Sequence, residues 1–178
     1  KNVQAVTCDV NSAHFAEQLN GFDAVISTFN AGWANPNLAE DNKKGLTNIV
    51  EAAKAANVPY LLIVGGAGSL YVAENLQLID TPDFPKAIFD GANSVRNLLA
   101  ELKTRNDVNW SFISPPALLG VTGGYSEERT GKYRLGHNTL LMNGDVPAGI
   151  SVADFAIALA DDVAQKAHLH QHFTVAAE

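Results

Sequence analysis

A run of apolar residues that ends in a glycine-rich turn occupies residues 60–69, and it constrains the fold more than any other stretch. Residues 60–64 leave no polar face, so a strand formed here must be covered on both sides. The central strand of a helix-covered parallel sheet has that environment. Gly65, Gly66 and Gly68 then allow a sharp turn and a close approach to another group. Because ligands of such sheets bind beyond the carboxyl ends of the strands, this turn is the first candidate site.

The rest of the chain alternates strand and helix patterns. Helices of this length between strands imply parallel, right-handed crossovers, so we predict an α/β fold with a doubly wound, Rossmann-like parallel sheet. Residues 70–84 read as irregular, and two short strands are expected near 133–135 and 140–142. The predicted strands are residues 3–8, 23–28, 60–64, 108–113 and 173–175, and the predicted helices are residues 12–19, 40–56, 85–104 and 152–166.

Composition narrows the class of protein. The 178 residues suffice for one domain with a proper core, and 47% of them are hydrophobic. A net charge of −7 without a basic patch argues against nucleic-acid binding, and no apolar run reaches the roughly 18 residues that would span a bilayer. A single cysteine, Cys8, excludes an internal disulfide and fits a reducing compartment, and we interpret it as a small core residue. With no signal peptide before the first strand, we expect a cytoplasmic protein.

The glycine turn does not match a dinucleotide fingerprint. That motif needs G-x-G-x-x-G after the first strand and directly before a helix. Residues 66–71 lack the third glycine, and a proline-broken loop follows them. On the pattern alone, the turn passes close to a ligand or to a neighbouring loop.

Five segments occur in an order that is typical of one family. They are Cys-Asp-Val at 8–10, Ser-Thr-Phe-Asn at 27–30, Val-Gly-Gly-Ala-Gly-Ser-Leu at 64–70, Ile-Ser-Pro-Pro at 113–116 and Glu-Arg-Thr-Gly-Lys-Tyr-Arg-Leu-Gly at 128–136. Through them the chain resembles the NADH-flavin reductase group of atypical short-chain dehydrogenases, relatives of the NmrA-like and biliverdin-reductase-B-like proteins. The resemblance covers essentially the whole chain, and residues 128–136 and 172–175 are its most specific parts.

The resemblance implies a site for NADP or NAD at the carboxyl ends of the strands, with a flavin as a candidate substrate. In that family the first strand, turn and helix carry the phosphate-binding glycines. This sequence begins at what would be the third strand of the family. We therefore expect residues 1–178 to form a single NAD(P)-binding domain that lacks its first βαβ portion, on the order of 30 residues or more.

The resemblance also implies where each part of the cofactor lies. Asp9 and Val10 would lie beside the adenine, although an ordinary strand end explains them equally well from spacing alone. Thr28, Phe29 and Asn30 would form the loop over the ribose and pyrophosphate, although many surface loops have this composition.

Two further segments would contact the nicotinamide half of the cofactor. One follows the predicted strand at 60–64 and would lie along the nicotinamide ribose. The other follows the predicted strand at 108–113 and would meet the carboxamide through backbone groups, although it also reads as a plain strand stop. These residues are Gly65, Gly66 and Ala67 in the first segment, and Ser114, Pro115 and Pro116 in the second.

The catalytic residues of ordinary dehydrogenases are incomplete here. Ser69 lies near the position of their serine, but the predicted helix 85–104 contains no Tyr-x-x-x-Lys, whose lysine lowers the pKa of the tyrosine. Carbonyl reduction with a tyrosine acid is therefore not expected, and the catalytic residues stay unknown. Reduction of a flavin or quinone needs less, because hydride goes to an electrophilic ring and solvent supplies the proton.

A basic cluster lies beside aromatic residues in the segment 125–134. Arg129, Lys132 and Arg134 accompany Tyr125 and Tyr133. One interpretation is contact with a phosphate or a flavin, and the other is a surface hairpin with solvated charges. Together with Ser69, we single out Arg129 and Tyr133 as candidate substrate residues.

Two other groups of residues remain. His168, His170 and His172 alternate, but no cysteine or carboxylate cluster accompanies them, so we predict no metal site. Trp110 lies in a predicted strand and reads as core. Trp33 lies in a loop and could line a pocket.

The resemblance therefore implies an NAD(P)H-dependent oxidoreductase that reduces a flavin- or quinone-like acceptor by hydride transfer. The expected partner is a small-molecule substrate, with a homodimer as a possibility and neither nucleic acid nor membrane. One alternative is an NAD(P)-binding regulatory or sensor protein without turnover. Another is a fragment that binds no dinucleotide, with an exposed apolar sheet edge that would aggregate or dimerise. The choice between NADH and NADPH stays open.

Overall fold

A five-stranded sheet between two layers of helices forms the centre of the molecule. The computed structural model describes residues 2–120 and 123–178. The helices are α1 (Phe15–Gln18), α2 (Leu38–Ala55), α3 (Lys86–Leu102) and α4 (Val152–Gln165), and the strands of this sheet are β1 (Val25–Ser27), β2 (Leu61–Val64), β5 (Trp110–Ser114), β7 (Arg134–Gly136) and β11 (His172–Ala176). The strand order is β1-β2-β5-β11-β7, with parallel pairing throughout except between β11 and β7. The predicted α/β class with a mostly parallel sheet is confirmed.

The apolar run at 60–64 is covered on both faces, as its pattern requires. Leu61 and Ile63 belong to a core cluster that includes residues of α2, α3 and β5. Tyr60 and Leu62 belong to a second cluster on the opposite face, with residues of α4 and β11. β2 also has a strand on each side, so its backbone groups are paired within the sheet.

Register brings the carboxyl ends of three strands to one edge of the sheet. Ser27 at the end of β1 pairs with Ile63, and Val64 at the end of β2 pairs with Ile113. The loops that leave β1, β2 and β5 therefore emerge side by side. In open parallel sheets this is where ligands bind.

Helix boundaries follow local chemistry. Ser151 caps α4, since its Oγ accepts a hydrogen bond of 3.1 Å from the N–H of Asp154. Pro85 is the N-cap of α3 and not a residue of its first turn. α1 is a single turn that begins at Phe15, later than the predicted start at residue 12.

The predicted first strand, residues 3–8, is wrong. These residues are exposed and form no strand, and Cys8 is exposed instead of buried in the core. An extended segment becomes a strand only where a neighbour completes its hydrogen bonds. Among residues 2–120 and 123–178, no strand pairs with this segment or with the outer edge of β1.

Edge position also corrects the prediction for residues 23–28. The strand is shorter than predicted, and Ile26 in its middle is exposed because β1 has a partner on only one side. A strand at the edge of a sheet is covered less completely than a central one.

Short pairs of strands occupy segments in which the sequence shows no clear period. Within 70–84, which we expected to be irregular, a hairpin forms between two 3-10 turns. The short strand expected at 140–142 begins two residues later, and strands of two or three residues are too short to carry a hydrophobic period. These strands are β3 (Tyr71–Ala73) with β4 (Leu76–Gln77), β6 (Leu118–Leu119) with β10 (Gly149–Ile150), and β8 (Met142–Asn143) with β9 (Val146–Pro147).

Of the helices described, none is long and apolar enough to cross a membrane.

Candidate functional site

The candidate site lies at the edge where β1, β2 and β5 end. The structure brings three of the predicted segments there, residues 28–30, 65–67 and 114–116, each directly after or at the end of its strand. A hydrogen bond of 2.8 Å from the N–H of Gly65 to the carbonyl of Ile113 continues the sheet one residue beyond β2. The loops after β2 and β5 therefore start in contact.

Gly65 and Gly66 are glycines for different reasons. A Cβ on Gly65 would overlap the ring of Phe112, which is fully buried in β5. Gly66 has φ −136° and ψ 154°, an extended conformation open to any residue, and nothing lies within 4 Å of the place of its Cβ. Core packing thus requires glycine at 65, whereas at 66 the absent side chain leaves open space at the strand end.

Ser69 lies just after that open space, and its hydroxyl is buried. Its backbone is satisfied, because its N–H donates to the carbonyl of Gly66 at 3.3 Å and its carbonyl accepts from Nε2 of Gln77 at 2.9 Å. Its Oγ has no hydrogen-bond partner in the part of the chain that the structure describes. Buried hydroxyls are normally paired, so this Oγ fits a polar group brought by a ligand.

Phe29 anchors the loop after β1, and the residues on either side of Phe29 are exposed to solvent. The ring of Phe29 packs against α2, where a Cβ on Gly45 would overlap it. Thr28 and Asn30 are exposed, and Oδ1 of Asn30 accepts a hydrogen bond of 2.7 Å from the N–H of Gly32. Phe29 therefore fixes the loop, while Thr28 and Asn30 face outward.

Asn42, which the sequence analysis missed, ties this loop to both helices. Its Oδ1 accepts from the N–H of Ala31 at 2.7 Å, and its Nδ2 donates to Oγ of Ser94 on α3 at 3.3 Å. Ser94 in turn donates to the carbonyl of Gly91 at 2.7 Å. The only sign of Asn42 in the sequence is that a polar residue stands on the apolar face of a helix.

Asp9 and Val10 lie beside α2, at the edge of the sheet that β1 forms. Asp9 is exposed, and its Oδ1 accepts from the N–H of Asn11 at 2.8 Å. Val10 packs against the core cluster on the α2 side, and Asn48 of α2 donates to Oδ1 of Asn11 at 2.8 Å. The bond from the N–H of Asn11 is the one side-chain hydrogen bond of Asp9 seen among the described residues.

Ser114 is held inside the sheet. Its Oγ shares a hydrogen bond of 2.8 Å with Nε2 of His172, and its carbonyl accepts from Oγ1 of Thr174 at 2.7 Å. Burial, and secondarily the charge of Lys103, lowers the pKa of His172 to about 4, so this imidazole is neutral at pH 7. A contact between this turn and a ligand would fall to the backbone after Ser114, near the half-buried Pro115 and the buried Pro116.

Tyr133 and Arg134 make structural contacts. The hydroxyl of Tyr133 donates to Oδ2 of Asp161 on α4 at 2.8 Å, and burial followed by this carboxylate raises its pKa to about 12. Arg134 donates to the carbonyls of Ala177 and Met142 at 3.1 and 2.9 Å. Arg129 is exposed, and its role as a substrate residue stays a prediction, as does that of Tyr133.

The alternating histidines have separate partners. His168 contacts Asp162, His170 contacts the carbonyl of Val108, and His172 contacts Ser114. Within the described residues no group of three or more His, Cys, Asp or Glu side chains could hold a metal ion.

Asp154 anchors the segment 128–136, the most specific part of the predicted resemblance. Its Oδ2 accepts from the hydroxyl of Thr130 at 2.6 Å, and its Oδ1 accepts from the N–H of Gly131 at 2.9 Å. The Thr130 hydroxyl, with the N–H groups of Gly131 and Thr130, holds the pKa of this buried carboxyl below its ordinary value.

We expect Asp154 to make stability sensitive to acid. Because its pKa is lower in the folded state, its contribution is complete above the unfolded pKa of about 4 and is lost as the pH falls through the folded value. Asp154→Asn should therefore flatten the dependence of the urea midpoint on pH below about 4. The control is Asp145→Asn, which removes a carboxylate from an exposed turn. Identical pH profiles for the Asp154 variant and the unmodified protein would contradict this assignment.

Comparisons with known proteins agree with this geometry. Residues 1–163 match the model of a family described as NAD(P)H-binding. Protein YwnB of Bacillus subtilis strain 168 is 36% identical over 165 residues, which cover 92% of this chain and 74% of YwnB. A solved structure from Burkholderia pseudomallei, described as a "putative exported protein", is 35% identical with a TM-score of 0.85, covering 99% of this chain and 82% of its own. Another, from Streptococcus pneumoniae TIGR4, described as a "putative NADH-flavin reductase", is 31% identical with a TM-score of 0.84, covering 100% and 83%.

Proposed function

The chain belongs to the NAD(P)H-binding family, and from that premise we propose that it is an oxidoreductase that passes hydride from NADH or NADPH to a flavin- or quinone-like acceptor. The cofactor would bind along the loops that follow β1, β2 and β5. The description of the streptococcal relative as an NADH-flavin reductase supports the choice of acceptor. A cytoplasmic location remains a prediction from the single cysteine.

The observation that carries this proposal is the open space at Gly66. This position combines an ordinary extended backbone, no atom near the place of a Cβ, and the buried hydroxyl of Ser69 three residues later. These features fit the nicotinamide ribose, which needs a close backbone approach and a hydrogen-bonding partner. Thr28 and Asn30 would face the ribose and pyrophosphate, Asp9 and Val10 the adenine, and the backbone after Ser114 the carboxamide.

The residues of the chain would bind and orient the reactants. A bound reduced nicotinamide would supply a hydride to the acceptor ring and would leave as the oxidised form, and solvent would supply the proton that balances the reaction. α3 contains no tyrosine, so no phenolic acid of the Tyr-x-x-x-Lys kind contributes from this helix. Catalysis then rests on positioning, which suits an electrophilic ring.

The phosphate groups would need a partner beyond the described loops. We propose that residues 1–178 form one NAD(P)-binding domain. Among the described strands none pairs with the outer edge of β1, where Ile26 is exposed, so a further strand could pair there.

The test is a fluorescence titration of the chain with NADPH and NADH, followed by oxidation assays with FMN or menadione. We expect saturable binding below 1 mM in at least one titration, with Gly66→Ala weakening it by about tenfold, which is about 1.4 kcal/mol. The added methyl group would occupy the space that we assign to the cofactor. The melting temperature should not fall, because this methyl group meets no protein atom and alanine adopts this extended backbone without strain.

Equal cofactor affinity for Gly66→Ala and the unmodified protein would contradict the assigned site. Binding without turnover would instead favour the sensor function. Absence of binding, both in this chain and after extension with its natural upstream residues, would overturn the proposal. Binding that appears only in the extended chain would show that residues outside 1–178 contribute to the phosphate site.

A further inference from the structure

The last residue of β4, Gln77, reaches from its strand to the backbone of Ser69. Its Nε2 donates a hydrogen bond of 2.9 Å to the carbonyl of Ser69. The N–H of Leu78 donates to the carbonyl of Leu70 at 2.8 Å, so backbone hydrogen bonds already hold the next residue. The side chain of Gln77 therefore extends these contacts by one residue, to the serine of the candidate site.

The bond from Gln77 is the shorter of the two hydrogen bonds that the structure gives the backbone of Ser69. The N–H of Ser69 donates to the carbonyl of Gly66 at 3.3 Å, which is long for a bond of this kind. Ser69 is 1% exposed, and its Oγ has no hydrogen-bond partner among the described residues. The place of this hydroxyl thus depends on the backbone of Ser69, and so on Gln77.

Arg96 on α3 sets the orientation of the Gln77 amide. Its Nη1 donates to Oε1 of Gln77 at 3.4 Å. A guanidinium has only donors and a carbonyl oxygen only accepts, so an amide between Arg96 and the carbonyl of Ser69 has one orientation that satisfies both. In that orientation the amide oxygen faces Arg96 and the NH₂ group faces Ser69.

Two further acceptors hold Arg96 in place. Its Nη1 donates to Oδ1 of Asp80 at 2.7 Å, and its Nη2 donates to Oδ1 of Asn93 at 2.7 Å. Asp80 ends the 3-10 turn after β4, and Asn93 lies one helical turn before Arg96 on α3. A continuous line of contacts therefore runs from α3 through Arg96 and Gln77 to Ser69.

We propose that Gln77 is a positioning residue for the nicotinamide cofactor. By holding the carbonyl of Ser69, it places the hydroxyl of this serine against the nicotinamide ribose. This inference rests on the proposed function, because it concerns the same cofactor in the same site. Gln77 acts only through Ser69 in this role, so its effect on the cofactor requires the Ser69 hydroxyl.

The variant that tests this role is Gln77→Glu. A carboxylate keeps Arg96 as its partner but has no hydrogen to donate to the carbonyl of Ser69. We expect the affinity for NADPH, measured by fluorescence titration, to fall about fivefold, the usual effect of one hydrogen bond. The matched control is Asn97→Asp, the same change of amide to carboxylate at an exposed residue of α3 beside Arg96. This control should bind NADPH as the unmodified protein does.

A double-mutant cycle on the NADPH affinity separates positioning from a general loosening of the hairpin. Ser69→Ala should also lower the affinity about fivefold. It should not lower the melting temperature, because it removes a buried hydroxyl that has no partner among the described residues. Gln77→Glu should then lower the affinity no further in the Ser69→Ala background. Losses that add strictly would overturn the inference, since Gln77 would then act independently of Ser69.

Hydrogen exchange of the protein without cofactor gives a second readout. The N–H groups of Ser69 and Leu70 donate to the carbonyls of Gly66 and Ala67 in the 3-10 turn before β3. We expect these two groups to exchange faster in Gln77→Glu than in the unmodified protein and in Asn97→Asp. Equal exchange in all three proteins would show that Gln77 does not fix Ser69, which would overturn the inference.

The NADPH titration also separates the inference from the proposed function. NADPH affinity that is equal in Gln77→Glu and the unmodified protein would overturn the inference and leave the proposed function intact. Absence of NADPH and NADH binding, in this chain and in its extended form, would remove the proposed function and the inference with it. Where only the extended chain binds, the cycle is measured in that form and has the same expected outcome.

Discussion

Replacing Gly65 with alanine should lower the free energy of unfolding by about 3 kcal/mol, the upper part of the usual range for overpacking a core. The added methyl group would overlap the ring of Phe112. That ring is fully buried in β5 and meets the imidazole of His172 edge to face at 5.4 Å. Neither can move without disturbing the sheet, because Phe112 and His172 are paired in register.

The measurement is thermal and urea unfolding of Gly65→Ala beside Gly66→Ala. For a chain of this length, about 3 kcal/mol corresponds to a melting temperature lower by roughly 6–12 °C. The neighbouring variant should melt no lower than the unmodified protein does, since its methyl group meets no atom and its backbone suits alanine. The pair thus separates a glycine required by packing from one that leaves room for a ligand.

A double-mutant cycle identifies the cause. Phe112→Leu alone opens a cavity and costs stability, but in the Gly65→Ala background it also relieves the overlap. The two effects should therefore be less than additive by at least about 1 kcal/mol. Strict additivity, or a Gly65→Ala variant as stable as its neighbour, would contradict the role assigned to Gly65.

The sequence predicts the centre of this fold better than its edge. The run at 60–64 has no polar face, and this local property alone implies cover on both sides. Residues 3–8 alternate loosely and are rich in strand formers, yet they form no strand, because a strand also needs a partner that local sequence does not specify. Cys8 is exposed for the same reason.

In the candidate site, too, local sequence predicts some features and not those that depend on a distant partner. That the segments 28–30, 65–67 and 114–116 lie at one edge follows from parallel strands and could be predicted. That Phe29 anchors its loop, and that Tyr133 bonds to Asp161, depends on which helix packs against each residue. The bridge from Asn42 to Ser94 joins residues far apart in the chain, so periodicity could not reveal it.

A buried carboxylate organises the edge of the sheet that lies opposite the candidate site, where the strand β2 begins. Asp162 on α4 accepts a hydrogen bond of 2.8 Å from the hydroxyl of Tyr60 through Oδ2, and its Oδ1 lies 2.5 Å from Nδ1 of His168. The N–H of His168 donates to the same tyrosine hydroxyl at 3.1 Å, and its ring stacks on Phe173 at 3.8 Å. Tyr60 precedes β2, and Phe173 lies in β11. This network therefore fixes where α4 ends relative to the sheet.

Removing that carboxylate should have the other large effect. We expect Asp162→Ala to lower the free energy of unfolding by about 3–5 kcal/mol, since it leaves the buried hydroxyl of Tyr60 and the ring nitrogen of His168 without their acceptor. The matched control is Asp161→Ala, the neighbouring residue, which removes one bond to the partly exposed Tyr133 and should cost about 1 kcal/mol. Urea unfolding of both variants measures the two losses in the free energy of unfolding. Equal losses would show that the two carboxylates matter alike, whereas the larger loss at Asp162 would show that burial of its partners sets the cost.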